Sequence, residues 1–207
     1  MKRYDAVLFD LLTALLDSWS LWNRIAGSEA AGRAWRGEYL KLTYGCGAYR
    51  PYETLVEEAA VASGLPTARA RELEEEWPSL EPWEEARPML KKLAQDYKLG
   101  VVTNCSERLG RFAAMRLETP FDVVVTSERA GYYKPRPEPY ELALRELSLP
   151  ANRVLFVCGS AFDLFGTAQV GMTTLWHNRV GLKKPAEAPA PHAESRALEP
   201  MVSEHLA

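Results

Sequence analysis

The stretch Ala6-Val7-Leu8-Phe9-Asp10-Leu11-Leu12-Thr13-Ala14-Leu15 decides how this chain reads. Four apolar residues in a row suit a short strand covered on both faces, and the run stops at a carboxylate. An acid is poorly placed in a core, but it is well placed at the carboxyl edge of a parallel sheet, where open α/β folds bind ligands. Asp10 is therefore the candidate nucleophile. Three later segments repeat the pattern of polar residues set at or beyond the end of an apolar run. They are Val101-Val102-Thr103-Asn104, then Lys134-Pro135, then Phe156-Val157-Cys158 running on to Asp163. A parallel sheet would gather all four in one crevice.

Around these positions the chain alternates. Strands are expected at residues 4 to 10, 99 to 103, 121 to 126, 154 to 158 and 173 to 176, with helices at 83 to 96, 107 to 116, 137 to 147 and 162 to 170. Alternation of this kind builds a parallel sheet with helices on both faces. The exception lies between the first strand and the rest. Residues 18 to 80 are helical in character throughout: Trp19, Trp22 and Ile25 recur at helical spacing, and three further amphipathic stretches follow, punctuated by Gly45-Cys46-Gly47 and Gly64-Leu65-Pro66. The expected organisation is an α/β, Rossmann-like core of residues 1 to 15 and 81 to 207, with a helical cap of residues 16 to 80 inserted after the first strand. Trp19, Trp22 and Trp35 read as apolar packing between cap and core. The Pro- and Ala-rich residues 184 to 191 read as an extended or mobile linker, followed by a short terminal helix.

Composition narrows the function. A chain of 207 residues, 47% apolar, is long enough to bury one sizeable core and a small second subdomain. With a net charge of −3 and a pI near 5.8 it offers no basic field for a phosphate backbone, so nucleic acid is not an expected partner. Cys46, Cys105 and Cys158 are odd in number and lack CxxC spacing, which argues against a disulfide framework and a zinc site and points to a reducing compartment. The first strand starts too early for a signal peptide, and no apolar run approaches a membrane span. The expectation is a soluble cytoplasmic protein.

The order Asp10, Thr103-Asn104, Lys134-Pro135, Asp163 resembles the haloacid dehalogenase superfamily, and within it most resembles the L-2-haloacid dehalogenases. Further likeness lies in Lys134-Pro135-Arg136-Pro137-Glu138-Pro139-Tyr140 and in Trp176-His177-Asn178-Arg179. The resemblance implies hydrolysis of small (S)-2-haloalkanoic acids through an ester on Asp10. It also implies Lys134 and Asp163 as catalytic partners, and Arg36 in the cap as receiver of the departing halide beside Asn104 and Phe162. Thr103 and Ser160 fall among the substrate contacts, and Tyr140 supports the site with its hydroxyl. A homodimer is implied as well. At Leu12 the superfamily's phosphatases carry a second Asp, the acid that protonates a leaving alkoxide. A halide needs no proton, so an aliphatic residue there fits carbon–halogen chemistry without a metal or other cofactor. Two other readings stay open at this point: a superfamily hydrolase of another small substrate such as a phosphate ester, and a catalytically weak ligand-binding member.

The chain also departs from the dehalogenase pattern. Where the family has Tyr-Gly-Thr after the nucleophile this chain has Leu12-Thr13-Ala14, and where it has Ser-Ser-Asn this chain has Cys158-Gly159-Ser160. The hydroxyl that contacts the nucleophile is expected to be lost at Ala14, because the neighbouring Thr13 on a strand end would point the other way. Hydrolysis of the ester is the step this would weaken.

Overall fold

The computed structural model describes residues 2 to 206. Six strands form one parallel sheet: β1 (Ala6–Phe9), β2 (Lys98–Thr103), β3 (Val123–Thr126), β4 (Val154–Cys158), β5 (Thr173–His177) and β6 (Ala193–Ser195), in the order β3-β2-β1-β4-β5-β6. The winding reverses between β1 and β4, so the crevice at their carboxyl ends is the topological switch point.

All four β1 residues are buried, and their alternation splits the core in two. Val7 and Phe9 join an apolar cluster with Leu99, Val101, Leu155 and Val157, whereas Ala6 and Leu8 face Val102, Phe156 and Tyr140 on the other side. Burying a side chain such as Phe9 or Phe156 contributes roughly 1.5–3 kcal/mol.

Between β1 and β2 lie α1 (Ser18–Ala26), α2 (Glu29–Gly45), α3 (Tyr52–Ala62) and α4 (Ala68–Glu75). The Asp17 side chain accepts from Ser20 N at the start of α1, and Ser28 does the same for Ala31 N at α2. Two of the buried indoles have backbone acceptors: Trp35 Nε1 donates to Val56 O at 2.9 Å and Trp77 Nε1 to Leu109 O at 3.0 Å. Trp22 and Trp35 pack with ring centroids 4.7 Å apart. The chain enters and leaves this helical segment side by side. Asp17 N donates to Glu81 O at 2.8 Å, Trp83 N donates to Leu15 O at 2.9 Å, and Leu16 pairs with Pro82.

The remaining helices are α5 (Ala86–Leu93), α6 (Glu107–Met115), α7 (Ser127–Ala130), α8 (Pro137–Leu147), α9 (Asp163–Val170) and α10 (Leu198–Leu206). Pro137 at the first turn of α8 costs no hydrogen bond there. Two expectations need correction. Residues 184 to 191 are not a free linker: Ala188 is buried in the core, Lys184 Nζ donates to Ala188 O at 2.5 Å, and His192 N donates to Thr174 O at 2.8 Å to begin the β6 pairing. Residues 193 to 195, expected ahead of or within a terminal helix, form the edge strand β6. No described helix is long and apolar enough to cross a membrane.

Candidate active site

Asp10 follows β1 and stays in its ladder through a bond from its N–H to Val157 O at 2.9 Å. The backbone then coils into a single wide π-helical turn, Leu11–Leu15, which Asp10 caps. Its Oδ2 accepts from Thr13 N at 3.0 Å, Ala14 N at 3.3 Å and Thr13 Oγ1 at 2.5 Å. This overturns the expectation that Thr13 points away. Strand alternation ends at Asp10, and in the turn residue i+3 comes back over residue i.

The other oxygen, Oδ1, accepts from Lys134 Nζ at 2.9 Å, and the same ammonium lies 2.9 Å from Asp163 Oδ1. Tyr140 donates its hydroxyl to that Asp163 oxygen at 2.6 Å. All four side chains are buried. Local structure explains the alignment. Asn104, beyond β2, clasps the Lys134 backbone with one amide: Lys134 N donates to Asn104 Oδ1 at 2.7 Å, and Asn104 Nδ2 donates to Lys134 O at 3.0 Å. Ser127 Oγ donates to the same Oδ1 at 2.8 Å. Gly166 on α9 gives Tyr140 its place, since a Cβ there would lie 2.3 Å from the Tyr140 ring.

The electrostatics separate the two carboxyls. Burial alone would push Asp10 up, but the Lys134 ammonium and the Thr13 bonds outweigh it and hold Asp10 below the usual carboxylate range. Asp163 goes the other way, raised by burial and by the neighbouring Asp10 charge, which Lys134 and Tyr140 offset only in part. Burial would lower Lys134, yet the two carboxylates beside it raise it. The arrangement is an ionised carboxylate, a firm cation and a second, more basic carboxylate in a row, a pattern that assigns distinct roles to two acids.

Above this row is a cavity of about 220 Å³ between the sheet edge and the helical segment. It is lined by Asp10, Leu12, Thr13, Asn104, Lys134, Ser160, Phe162 and Asp163 from below, and by Trp19, Trp22, Arg36, Tyr39, Tyr44 and Tyr52 from the helices. Arg36 is buried on α2, with its guanidinium 4.1 Å from the Trp19 ring. Its Nη2 donates to Ser18 Oγ at 2.9 Å, and its Nη1 is buried with no partner. The Tyr52 hydroxyl is also buried and unpartnered, and burial pulls the Arg36 guanidinium below its ordinary value, which the nearby Asp10 carboxylate offsets only in part. Phe162 packs against Tyr44 with centroids 4.7 Å apart and the rings tilted by 38°, and Ser160 Oγ accepts from Phe162 N at 3.4 Å.

Of the residues singled out in the sequence, Asp10, Leu12, Arg36, Asn104, Lys134, Ser160, Phe162 and Asp163 line this cavity, and Tyr140 stands behind Asp163. Thr103 does not join them. It is buried at the end of β2 with its methyl toward α6, and its Oγ1 is unpartnered. Sequence reasoning set Thr13 aside and missed Tyr39, Tyr44 and Tyr52, and also Leu182 and Lys183, which reach the rim from the loop after β5. The three tyrosines were legible only as part of amphipathic stretches. Among the described residues, no three His, Cys, Asp or Glu side chains cluster as a metal-binding set.

The model of the haloacid dehalogenase-like hydrolase family matches residues 7 to 177. This chain belongs to that family. It is 26% identical to an (S)-2-haloacid dehalogenase of Pseudomonas putida over 97% of each chain, and 25% identical to a haloacetate dehalogenase of Moraxella sp. (strain B) over 87% of this chain and 88% of that one. Among solved structures, an L-2-haloacid dehalogenase superposes with a TM-score of 0.86 at 26% identity, covering 99% of each chain. A phosphatase of the same superfamily from Thermococcus onnurineus gives 0.64 at 25% identity, covering 96% of each. As a haloacid dehalogenase-like hydrolase, the chain has its Asp10–Lys134–Asp163 row where the sheet's switch point places a site.

Proposed function

We propose that this hydrolase cleaves the carbon–halogen bond of small (S)-2-haloalkanoic acids, with Asp10 as nucleophile. The observation that carries the reading is the Lys134 ammonium seated between the Asp10 and Asp163 carboxylates at 2.9 Å from each, opposite the unpartnered Nη1 of Arg36. Both carboxylates are already charge-paired to this ammonium, and three donors occupy Asp10 Oδ2. Leu12 supplies neither ligand nor acid. These residues do not fit a magnesium site, and no step is routed through one.

Asp10 Oδ1 attacks C2 in line with the carbon–halogen bond, the new C–O bond forms, and the halide leaves with the bonding pair, inverting the centre. In-line placement can contribute roughly 7–11 kcal/mol toward the barrier. Arg36 and the Tyr52 hydroxyl receive the halide, with the edge of Phe162 alongside. The second N–H of Asn104 Nδ2 is a further donor from the sheet side of the cavity. The Ser160 hydroxyl holds the substrate carboxylate, and the exposed Lys183 at the rim draws it in. A water then adds to Asp10 Cγ, giving a proton to Asp163; the Cγ–Oδ1 bond breaks, the alkoxide takes a proton from Lys134 to become the 2-hydroxy acid, the new Asp10 carboxyl returns that proton to Lys134, and Asp163 releases its own to solvent. Residues 16 to 80 act as the cap that excludes water, a homodimer is the expected assembly, and the unpaired cysteines fit a cytoplasmic setting.

The test is halide release from each enantiomer of 2-chloropropionate and from chloroacetate, beside p-nitrophenyl phosphate. Release from the (S) enantiomer alone, with inert phosphate, supports the reading. Phosphate release without halide would sink it.

A further inference from the structure

Three donors converge on Asp10 Oδ2, and the third of them, the Thr13 hydroxyl, stands one residue earlier than the hydroxyl of the dehalogenase pattern. We propose that Thr13 completes an oxyanion hole for hydrolysis of the Asp10 ester, and that Gly159 is the vacancy that admits its hydroxyl. The proposal rests on the ester mechanism above.

The two oxygens of Asp10 face different chemistry. Oδ1 lies by Lys134 and carries the new bond to C2, so Oδ2 becomes the ester carbonyl. When water adds to Cγ, the carbonyl π pair moves onto Oδ2. When the intermediate collapses, that pair returns and the Cγ–Oδ1 bond breaks. The charge on Oδ2 thus develops at the atom that already accepts from two backbone N–H groups and one hydroxyl, which is the arrangement that stabilises an oxyanion. The turn that carries these donors is braced through its own carbonyls. Trp83 Nε1 donates to Thr13 O at 3.2 Å, and His177 Nδ1 bonds Ala14 O at 2.9 Å.

Room for the hydroxyl comes from the residue just beyond β4. A Cβ at Gly159 would lie 2.2 Å from Thr13 Oγ1, 2.4 Å from Thr13 C and 2.5 Å from Ala14 N, closer than any real contact. The dehalogenase pattern has Gly at the place of Thr13 and Ser at the place of Gly159. Here side chain and gap have changed places. The two departures, each of which alone reads as loss of a polar group, form one complementary pair, with Thr13 touching the reacting carboxyl and Gly159 as its positioning residue.

Rapid-quench halide release from (S)-2-chloropropionate, read with intact-protein mass, tests this. In the Thr13→Val protein the first turnover should keep its rate, giving about one equivalent of halide per site. The steady rate should then fall about a hundredfold, with the ester accumulating on Asp10. Thr13→Ser should stay within about threefold of wild type, because it restores the hydroxyl. Gly159→Ser should copy Thr13→Val, and adding Thr13→Gly with Ala14→Thr to it should regain most of the steady rate. If Thr13→Val does not fold, Thr13→Ala gives the same reading. Burst and steady rate falling equally, or neither falling, would overturn the role of Thr13. Wild-type protein that releases no halide and forms no adduct would overturn the dehalogenase reading itself, and this proposal with it.

Discussion

Tyr140 donates its hydroxyl to the same Asp163 oxygen that Lys134 contacts, so a residue outside the cavity sets the basicity of one inside it. That bond favours the Asp163 carboxylate and opposes the upward push of burial. Removing it raises Asp163 further. Tyr140→Phe should therefore move the acid limb of the pH–rate profile to higher pH while leaving the alkaline side in place. A limb that moves to lower pH, or stays where it is, would show that Asp163 is not the base.

Lys134→Ala leaves two buried carboxylates facing each other without their cation. Breaking such an arrangement typically costs about 3–5 kcal/mol. The sign of its pH dependence follows from the shifted carboxyls. With both folded-state values raised above the unfolded ones, the variant loses stability as pH rises through them and regains it as pH falls. Thermal melts should show a larger deficit against wild type at pH 8 than at pH 5, and halide release should be abolished.

Arg36→Ala should reduce halide release at least tenfold, about 1.4 kcal/mol of transition-state stabilisation. Arg33 on the same helix is exposed and paired with Glu29, and Arg33→Ala should change little. Equal, small effects from the two would return Arg36 to a structural part.

The Tyr52 hydroxyl has no partner in its buried position, so Tyr52→Phe removes a desolvated group and should not lower stability. If the hydroxyl meets the leaving halide, kcat should fall roughly five- to tenfold, with chloride substrates affected more than bromide ones. A melting temperature that drops with unchanged kcat would reverse the assignment.

Turnover should persist in a strong chelator. Loss of halide release with EDTA and recovery with magnesium would contradict the metal-free part given to Lys134 and Leu12.

Much of this was legible in the sequence because the features are periodic or terminal. Four buried residues ending in a carboxylate specify a strand and its edge, and the alternation of apolar runs with amphipathic stretches specifies the crossovers that gather Asp10, Asn104, Lys134 and Asp163. What escaped depends on geometry that no local pattern encodes. The turn after Asp10 is not a continuation of the strand, so a rule of alternation misplaced Thr13. The strand β6 is only three residues long and its burial is partial, so nothing in its composition separates it from the terminal helical stretch. Tyr39, Tyr44 and Tyr52 face the cavity because of how α2 and α3 cross, which their spacing along the chain does not tell. Thr103 failed for the complementary reason: it sits at a strand end as expected, but on the side turned toward α6.

The pairing of Leu16 with Pro82 has a consequence for exchange between proteins. Neighbouring strands lie about 4.8 Å apart, so the two ends of the helical segment can be joined by a turn of a few residues without disturbing β1 or α5. The segment is a cassette. Replacing it with that of a relative would transplant Arg36, Tyr39, Tyr44 and Tyr52 together while Asp10, Lys134 and Asp163 stay behind, and the proposed function then predicts that leaving-group preference travels with the segment while nucleophilic chemistry does not.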